Sequence, residues 1–278
     1  MAHLETKHTT RDGEELYLQA WIPDDFKAAV LIVHGLAEHS GRYAHLAEFL
    51  TEHGYAVYTF DGRGHGKSVD GPPDAFYPSI DDYTDDVADL YGKMKQHAAG
   101  KPCFIFGHSM GGCITSYYEI TQNPDTAGIL LSGPAVIVGD DISPFLIRVS
   151  KLLSRIAPKM ATTVLDGSSI SRDPIEVEKY NNDPLNYRGG IRARVGAEML
   201  KAINTITEKT AQFKNPVLIM HGTADRIASP AGSQNLYDGA SSTDKTLKLY
   251  DGLFHELVNE PEKEMVMNDM LAWMEARL

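Results

Sequence analysis

The stretch Gly107-His108-Ser109-Met110-Gly111 sets one hydroxyl between two glycines at the end of an apolar run, FIF. A serine hydroxyl is a weak nucleophile at neutral pH. It attacks a carbonyl only when a base lies within hydrogen-bond reach and a third group orients that base. A strand that passes directly into a helix through G-x-S-x-G supplies the exposed position, because the turn holds the serine strained with its Oγ above the sheet edge. Side chains at 107 and 111 would collide with the adjoining strand or helix, and glycine removes the collision. The bare pattern arises by chance in roughly one chain in ten of this length. Its context gives it weight: an apolar strand precedes it, and GGCITSYYEITQ, a plausible helix, follows.

On such a scaffold the partners follow in the order serine, acid, histidine. VLIMHGTADRIAS puts Asp225 just past the C-terminal end of an apolar run, where open α/β sheets collect functional residues. KLYDGLFHELVNEP puts His255 in the loop after the next strand. The chain has 11 histidines, and only His255 lies downstream of both serine and acid. His34, His65, His108 and His221 flank glycines at strand ends, where an imidazole bonds backbone in a turn. His45, His53 and His97 fall on expected helices with solvated faces. Asp61, in TFDGRGHGKS, is the rival carboxylate, but it precedes the serine. The oxyanion that forms on attack needs backbone N–H donors already aimed at it. The amide of Met110, at a helix start, is one candidate. The amide of Leu36, after His34-Gly35 in LIVHGLAEHSG, is the second, with a plain tight turn as the alternative.

Strands are expected at 16–22, 29–34, 56–61, 103–107, 129–132, 217–221 and 247–250, separated by stretches of helical period. The inner runs are apolar on both faces, as in strands covered by helices on both sides. LYLQAWI alternates, which suits an edge strand. Ile80, Tyr83, Val87, Leu90 and Met94 mark an amphipathic helix. Pro261 suits the first turn of a last helix, with Met267, Met270, Leu271, Met274 and Leu278 on its apolar face. The expected class is α/β, a mostly parallel sheet with helices on both faces. Between 135 and 212 the strand-like runs stop. This predicts a helical cap inserted between two parts of the core, 1–134 and 213–278. Within it, PFLIRVSKLLSRIAPKM carries Phe145, Leu146, Val149, Leu152, Leu153 and Ile156 on an apolar face, with Arg148, Lys151, Arg155 and Lys159 beside them.

The 278 residues are 42% hydrophobic and 23% charged, the range of a folded globular chain. Acidic residues outnumber Lys and Arg by 38 to 26, a net charge of −12, which excludes a nucleic-acid footprint. Cys103 and Cys113 lack the spacing of a zinc site or disulfide framework and read as buried free thiols. No apolar run reaches the ~18 residues of a membrane span. The polar start MAHLETKHTTRDGEEL has no signal-peptide core, so a cytoplasmic protein is expected.

Together HGLAEHSGRY (34–43), FDGRGHGKS (60–68), GHSMGG (107–112), HGTAD (221–225) and FHE (254–256) resemble the monoacylglycerol lipase and lysophospholipase family of the α/β-hydrolase superfamily, over essentially the whole chain. The resemblance implies an α/β-hydrolase fold and a Ser109, Asp225, His255 triad. It implies an oxyanion hole from the Leu36 and Met110 amides, no metal or organic cofactor, and a helical cap over a long acyl channel. The expected activity is carboxylic ester hydrolysis of single-chain lipid esters, monoacylglycerol first and lysophospholipid second, with transient docking of the cap on micelles or bilayers. Better-known animal members carry a further histidine three positions after the catalytic one, where this chain has Val258. Glu38 and Arg42 read as a salt bridge shaping their turn. The alternatives are a broad short-chain esterase, an aminopeptidase using a cap carboxylate (Glu176, Glu178 or Glu198), and a non-catalytic binding protein on the same fold.

Overall fold

The computed structural model describes residues 2–137 and 152–278. Ten strands follow in chain order: β1 (Ala2–Thr9), β2 (Glu15–Ile22), β3 (Ala28–Val33), β4 (Tyr55–Phe60), β5 (Cys103–His108), β6 (Gly128–Ser132), β7 (Ala161–Val164), β8 (Gly190–Arg192), β9 (Val217–Gly222) and β10 (Lys245–Tyr250). Eight form one sheet in the order β1-β2-β4-β3-β5-β6-β9-β10, and β7 pairs with β8 apart from it. From β4 to β10 every pairing in the large sheet is parallel, whereas β2 runs antiparallel to both neighbours.

Helices cover both faces because successive side chains of a strand point to opposite sides. Leu31, Val33 and Ile105 enter one core with α2 (Ile80–Ala98), α3 (Met110–Gln122) and residues of α5 (Ala193–Lys209). Val30, Ile32, Phe104 and Phe106 enter the other, with α1 (Ala44–Glu52) and α7 (Lys263–Glu275). Ser79 caps α2, its hydroxyl accepting from the Asp81 and Asp82 amides, so the helix begins where the apolar period begins. The α/β-hydrolase class read from the sequence is the architecture found, and Cys103 and Cys113 are buried free thiols.

Four expectations need correction. Residues 16–22 do not form the edge, because β1 pairs along the whole of β2. β1 was invisible in the sequence because an edge strand with both faces exposed needs no apolar period; Lys7–Glu15 (2.8 Å) and Tyr17–Glu5 (2.5 Å) tie it on through polar groups. Pro261 stands just outside α7, before its N-cap Glu262, and Leu278 is half exposed rather than on the packed face. The stretch 135–212 is not purely helical, since it holds the β7–β8 pair, four and three residues long, too short to show a period. His45 is half-buried rather than on a solvated face, its ring donating to the Val258 carbonyl at 2.7 Å.

The same stretch contributes residues 152–156 in helical conformation, α4 (Pro174–Asn182), capped by Asp173 with Pro174 at its first position, and α5. Phe145, Leu146, Arg148, Val149 and Lys151 lie outside the described residues. Among the described residues no helix is long and apolar enough to cross a membrane.

Candidate active site

The elbow after β5 is built as its glycines require. Ser109 has φ +53° and ψ −116°, a region that costs a non-glycine residue about 1–3 kcal/mol. A Cβ on Gly107 would lie 2.6 Å from the Gly111 carbonyl oxygen, and one on Gly111 would lie 2.1 Å from that of Val33. Both are impossible without moving backbone, which is why the sequence spends two glycines here. The strain is held by neighbours: the Ser109 amide donates to the Ser132 carbonyl (3.0 Å), and the Ser109 carbonyl accepts from Cys113 (3.0 Å) and Ala135 (3.1 Å).

Three residues far apart in the chain meet above this turn. His255 Nε2 is 2.8 Å from Ser109 Oγ, and His255 Nδ1 is 2.7 Å from Asp225 Oδ2. A carboxylate only accepts, so Nδ1 carries the proton and Nε2 accepts from the serine hydroxyl. Burial would depress the His255 imidazole, but the Asp225 carboxylate more than offsets it and raises its pKa above the usual 6.5. Burial likewise works against the Asp225 charge, yet the two histidines and the backbone donors hold its carboxyl below the ordinary range. Those donors are the Ile227 (2.8 Å) and Ala228 (3.0 Å) amides on Oδ1. The loops close because glycines let them. At Gly133 (φ +51°) a Cβ would lie 3.1 Å from the His255 carbonyl oxygen, and a Cβ on Gly222 would lie 2.2 Å from that of Leu253.

The two candidate oxyanion amides flank this serine. Met110 opens α3. Leu36 follows Gly35, whose Cβ position would fall 3.2 Å from Ser109 Cβ, so the turn after β3 runs directly against the elbow. Leu36 also lines a cavity of about 210 Å³, walled by Ala37, Val164, Leu165, Tyr180, Asn181, Tyr187 and Arg188 among others.

The turn carrying Leu36 is fixed by an ion network. Glu38 Oε1 accepts from the Gly35 amide (2.6 Å) and the Tyr43 hydroxyl (2.7 Å), while Oε2 accepts from Arg42 (2.7 Å). The Glu38–Arg42 salt bridge expected from sequence is present. Arg42 also forks onto both oxygens of Glu256, at 2.6 and 2.7 Å. Burial would raise the Glu38 carboxyl, but Arg42 and nearby imidazoles outweigh it and hold it at about 2.

Sequence reasoning did not find Glu256, since nothing in spacing pairs position 42 with 256; the one available signal was a carboxylate directly after His255 in an otherwise apolar stretch. It also read His221 only as a turn residue, whereas His221 Nε2 lies 3.0 Å from Asp225 Oδ2. Asp61, the rival acid, is not part of this group: it accepts from the Ser40 amide and hydroxyl and from the Lys67 amide, closing the turns after β3 and β4. His34 and His108 bond backbone as expected, and burial depresses His108 to about 4, so it stays neutral beside the His255 ring.

A sharp strand-to-helix turn on a mostly parallel sheet, with helices on both faces, defines an α/β-hydrolase. The family model described as serine aminopeptidase, S33, matches residues 24–262, and the chain belongs to that family. It is 35% identical over 267 residues to a monoacylglycerol lipase of Mycolicibacterium smegmatis, covering 96% of this chain and 95% of that one. It is 33% identical over 270 residues to the human monoglyceride lipase, covering 96% and 88%. A crystal structure of a monoacylglycerol lipase from Paleococcus ferrophilus superposes with a TM-score of 0.84 at 30% identity, covering 95% of this chain and 99% of that one. The chain is a serine ester hydrolase.

Proposed function

We propose that the chain hydrolyses single-chain lipid esters, monoacylglycerol before others, through a Ser109, His255, Asp225 acyl-enzyme mechanism. The observation that carries this reading is the hydrogen-bonded line from Ser109 Oγ through His255 to Asp225, at 2.8 and 2.7 Å, on a chain whose relatives are named monoacylglycerol lipases. His255 Nε2 takes the hydroxyl proton as Ser109 Oγ attacks the ester carbonyl. The oxyanion is met by the Leu36 and Met110 amides, and collapse expels the glycerol oxygen with the proton from His255. Water then attacks the acyl-serine by the same route, returning the fatty acid and free serine. Asp225 stays ionised throughout and stabilises the imidazolium.

In this reading residues 135–212 act as a cap, and the cavity beside Leu36 receives part of the substrate. Leu152 (59% exposed), Ile156 (70%), Val164 (62%) and Ile175 (61%) support contact of the cap with a lipid surface, with exposed Arg155 nearby to meet anionic head groups. A cytoplasmic location belongs to the same reading. An aminopeptidase is disfavoured because two of its candidate carboxylates are already engaged: Glu176 with Lys179 and Lys263, Glu198 with Arg194 and Lys201. Lysophospholipid is the second reading, favoured by Arg188 and Asn181 in the cavity wall.

The test compares kcat/KM for a monoacylglycerol and a lysophosphatidylcholine of equal acyl length, a short nitrophenyl ester and an aminoacyl anilide, for wild type and Ser109→Ala. Preference for the monoacylglycerol, abolished in the variant, is expected. Dominance of the anilide, or activity that survives in Ser109→Ala, overturns the reading.

A further inference from the structure

Asp225 holds two histidines, and the mechanism above uses only one. His221, the fifth residue of β9, is fully buried, and its Nε2 lies 3.0 Å from Asp225 Oδ2 and 3.0 Å from the Ala228 carbonyl. Both partners only accept, so Nε2 carries the ring proton. Nδ1 is therefore a bare lone pair, and it accepts from the hydroxyl of Ser233, 2.7 Å away on α6 (Pro230–Gly239), also fully buried. Asp225 Oδ2 thus receives two imidazole N–H groups, from His221 and His255, while Oδ1 receives two backbone amides. Every acceptor position of the carboxylate is filled.

We propose that His221, its Nδ1 held by the Ser233 hydroxyl, is a positioning residue for the reaction: it holds Asp225 Oδ2 in line with His255 Nδ1 and limits how strongly that carboxylate attracts the imidazolium proton. The proposal rests on the Ser109, His255, Asp225 reading. Its physical content is a sign. A carboxylate that loses one N–H donor is more basic, so it stabilises protonated His255 more, and the imidazole becomes harder to deprotonate. The other groups facing this pair stay in place: His108 on β5, Glu256 beside His255, and Glu38 with Arg42 in the turn after β3. Loss of packing alone would act in the opposite direction, since water entering the site weakens the Asp225–His255 attraction and lets the imidazole drift down toward its ordinary value.

The experiment is a pH profile of kcat/KM on a short nitrophenyl ester for His221→Leu, His221→Gln and Ser233→Ala, beside wild type, Ser109→Ala and Asp225→Asn. His221→Leu is expected to lower kcat roughly 10–100-fold with KM little changed, and to move the acidic limb to higher pH. His221→Gln, whose amide N–H can reach Oδ2, is expected to restore most of the rate and the wild-type limb. Ser233→Ala is expected to shift the limb upward by less. Asp225→Asn moves it downward. A His221→Leu enzyme with wild-type rate, or with its limb unmoved or lowered, overturns the proposal; if that variant does not fold, an unshifted limb in Ser233→Ala does so. An active Ser109→Ala would instead sink the mechanism on which the inference rests.

Discussion

The elbow is tightly packed on every side, whereas the segment from Leu152 to Val164 is largely exposed. Around Ser109 no Cβ can be added at 107, 111 or 35 without a clash, and the backbone polar groups of the serine are bonded to two neighbouring segments. From Leu152 to Val164 apolar side chains stand in solvent, β7 is exposed along its length, and its pairing with β8 is irregular. Close packing fixes atoms to fractions of an ångström, which a proton relay requires. An apolar, sparsely packed surface fixes little, but it can meet ligands of differing length. Under the proposed function this difference divides the labour, with chemistry on strand ends and accommodation on the insertion.

The sharpest way to break this contrast is at the serine. Ser109→Ala should reduce kcat by about 10⁴–10⁶ with no loss of Tm, measured by steady-state hydrolysis and thermal melting. Asp225→Asn should cost about 10⁴ in kcat, because the amide can present its N–H to His255 and favour the wrong tautomer. In the wild type, kcat/KM should rise through a pKa above 6.5, since His255 must be neutral to act as a base and its pKa is raised. In Asp225→Asn that limb should fall, because burial still disfavours the imidazolium while the carboxylate is gone. Arg42→Met should destabilise by about 3–5 kcal/mol in urea unfolding, since it leaves Glu38 and Glu256 buried without their cation. The smallest effect belongs to the loose region. Leu152→Ser with Ile156→Ser should change stability by no more than about 0.5 kcal/mol per site. It should leave turnover of a soluble ester intact while weakening binding to lipid vesicles in a co-sedimentation assay. Intact vesicle binding would remove the surface role assigned to this segment.

The sheet interior was readable from the sequence because β3, β5 and β9 are buried on both faces, so each opens with at least four apolar residues in a row. The elbow was readable for a related reason, since its glycines are dictated by backbone contacts a few residues away. Ser109, His255 and Asp225 could be proposed in order because strand ends on such a sheet are the places where loops converge. What escaped were features satisfied by polar partners rather than by burial of apolar surface. β1 is held by a ladder and a few charges, Arg42 reaches Glu256 across more than two hundred residues of chain, and His221 looks like any histidine before a glycine. β7 and β8 were missed because runs of three or four residues carry no period.

β1 has a consequence for handling the protein outside its own environment. By pairing along all of β2 it takes the outer position on that side of the sheet, and the rim it presents carries His3, Glu5 and Lys7. Charged rims of this kind discourage strand-on-strand self-association between molecules. Trimming the first nine residues would bare β2, whose partly apolar face alternates, to other copies of the chain. A shortened version should therefore precipitate on concentration well before its catalytic chemistry suffers.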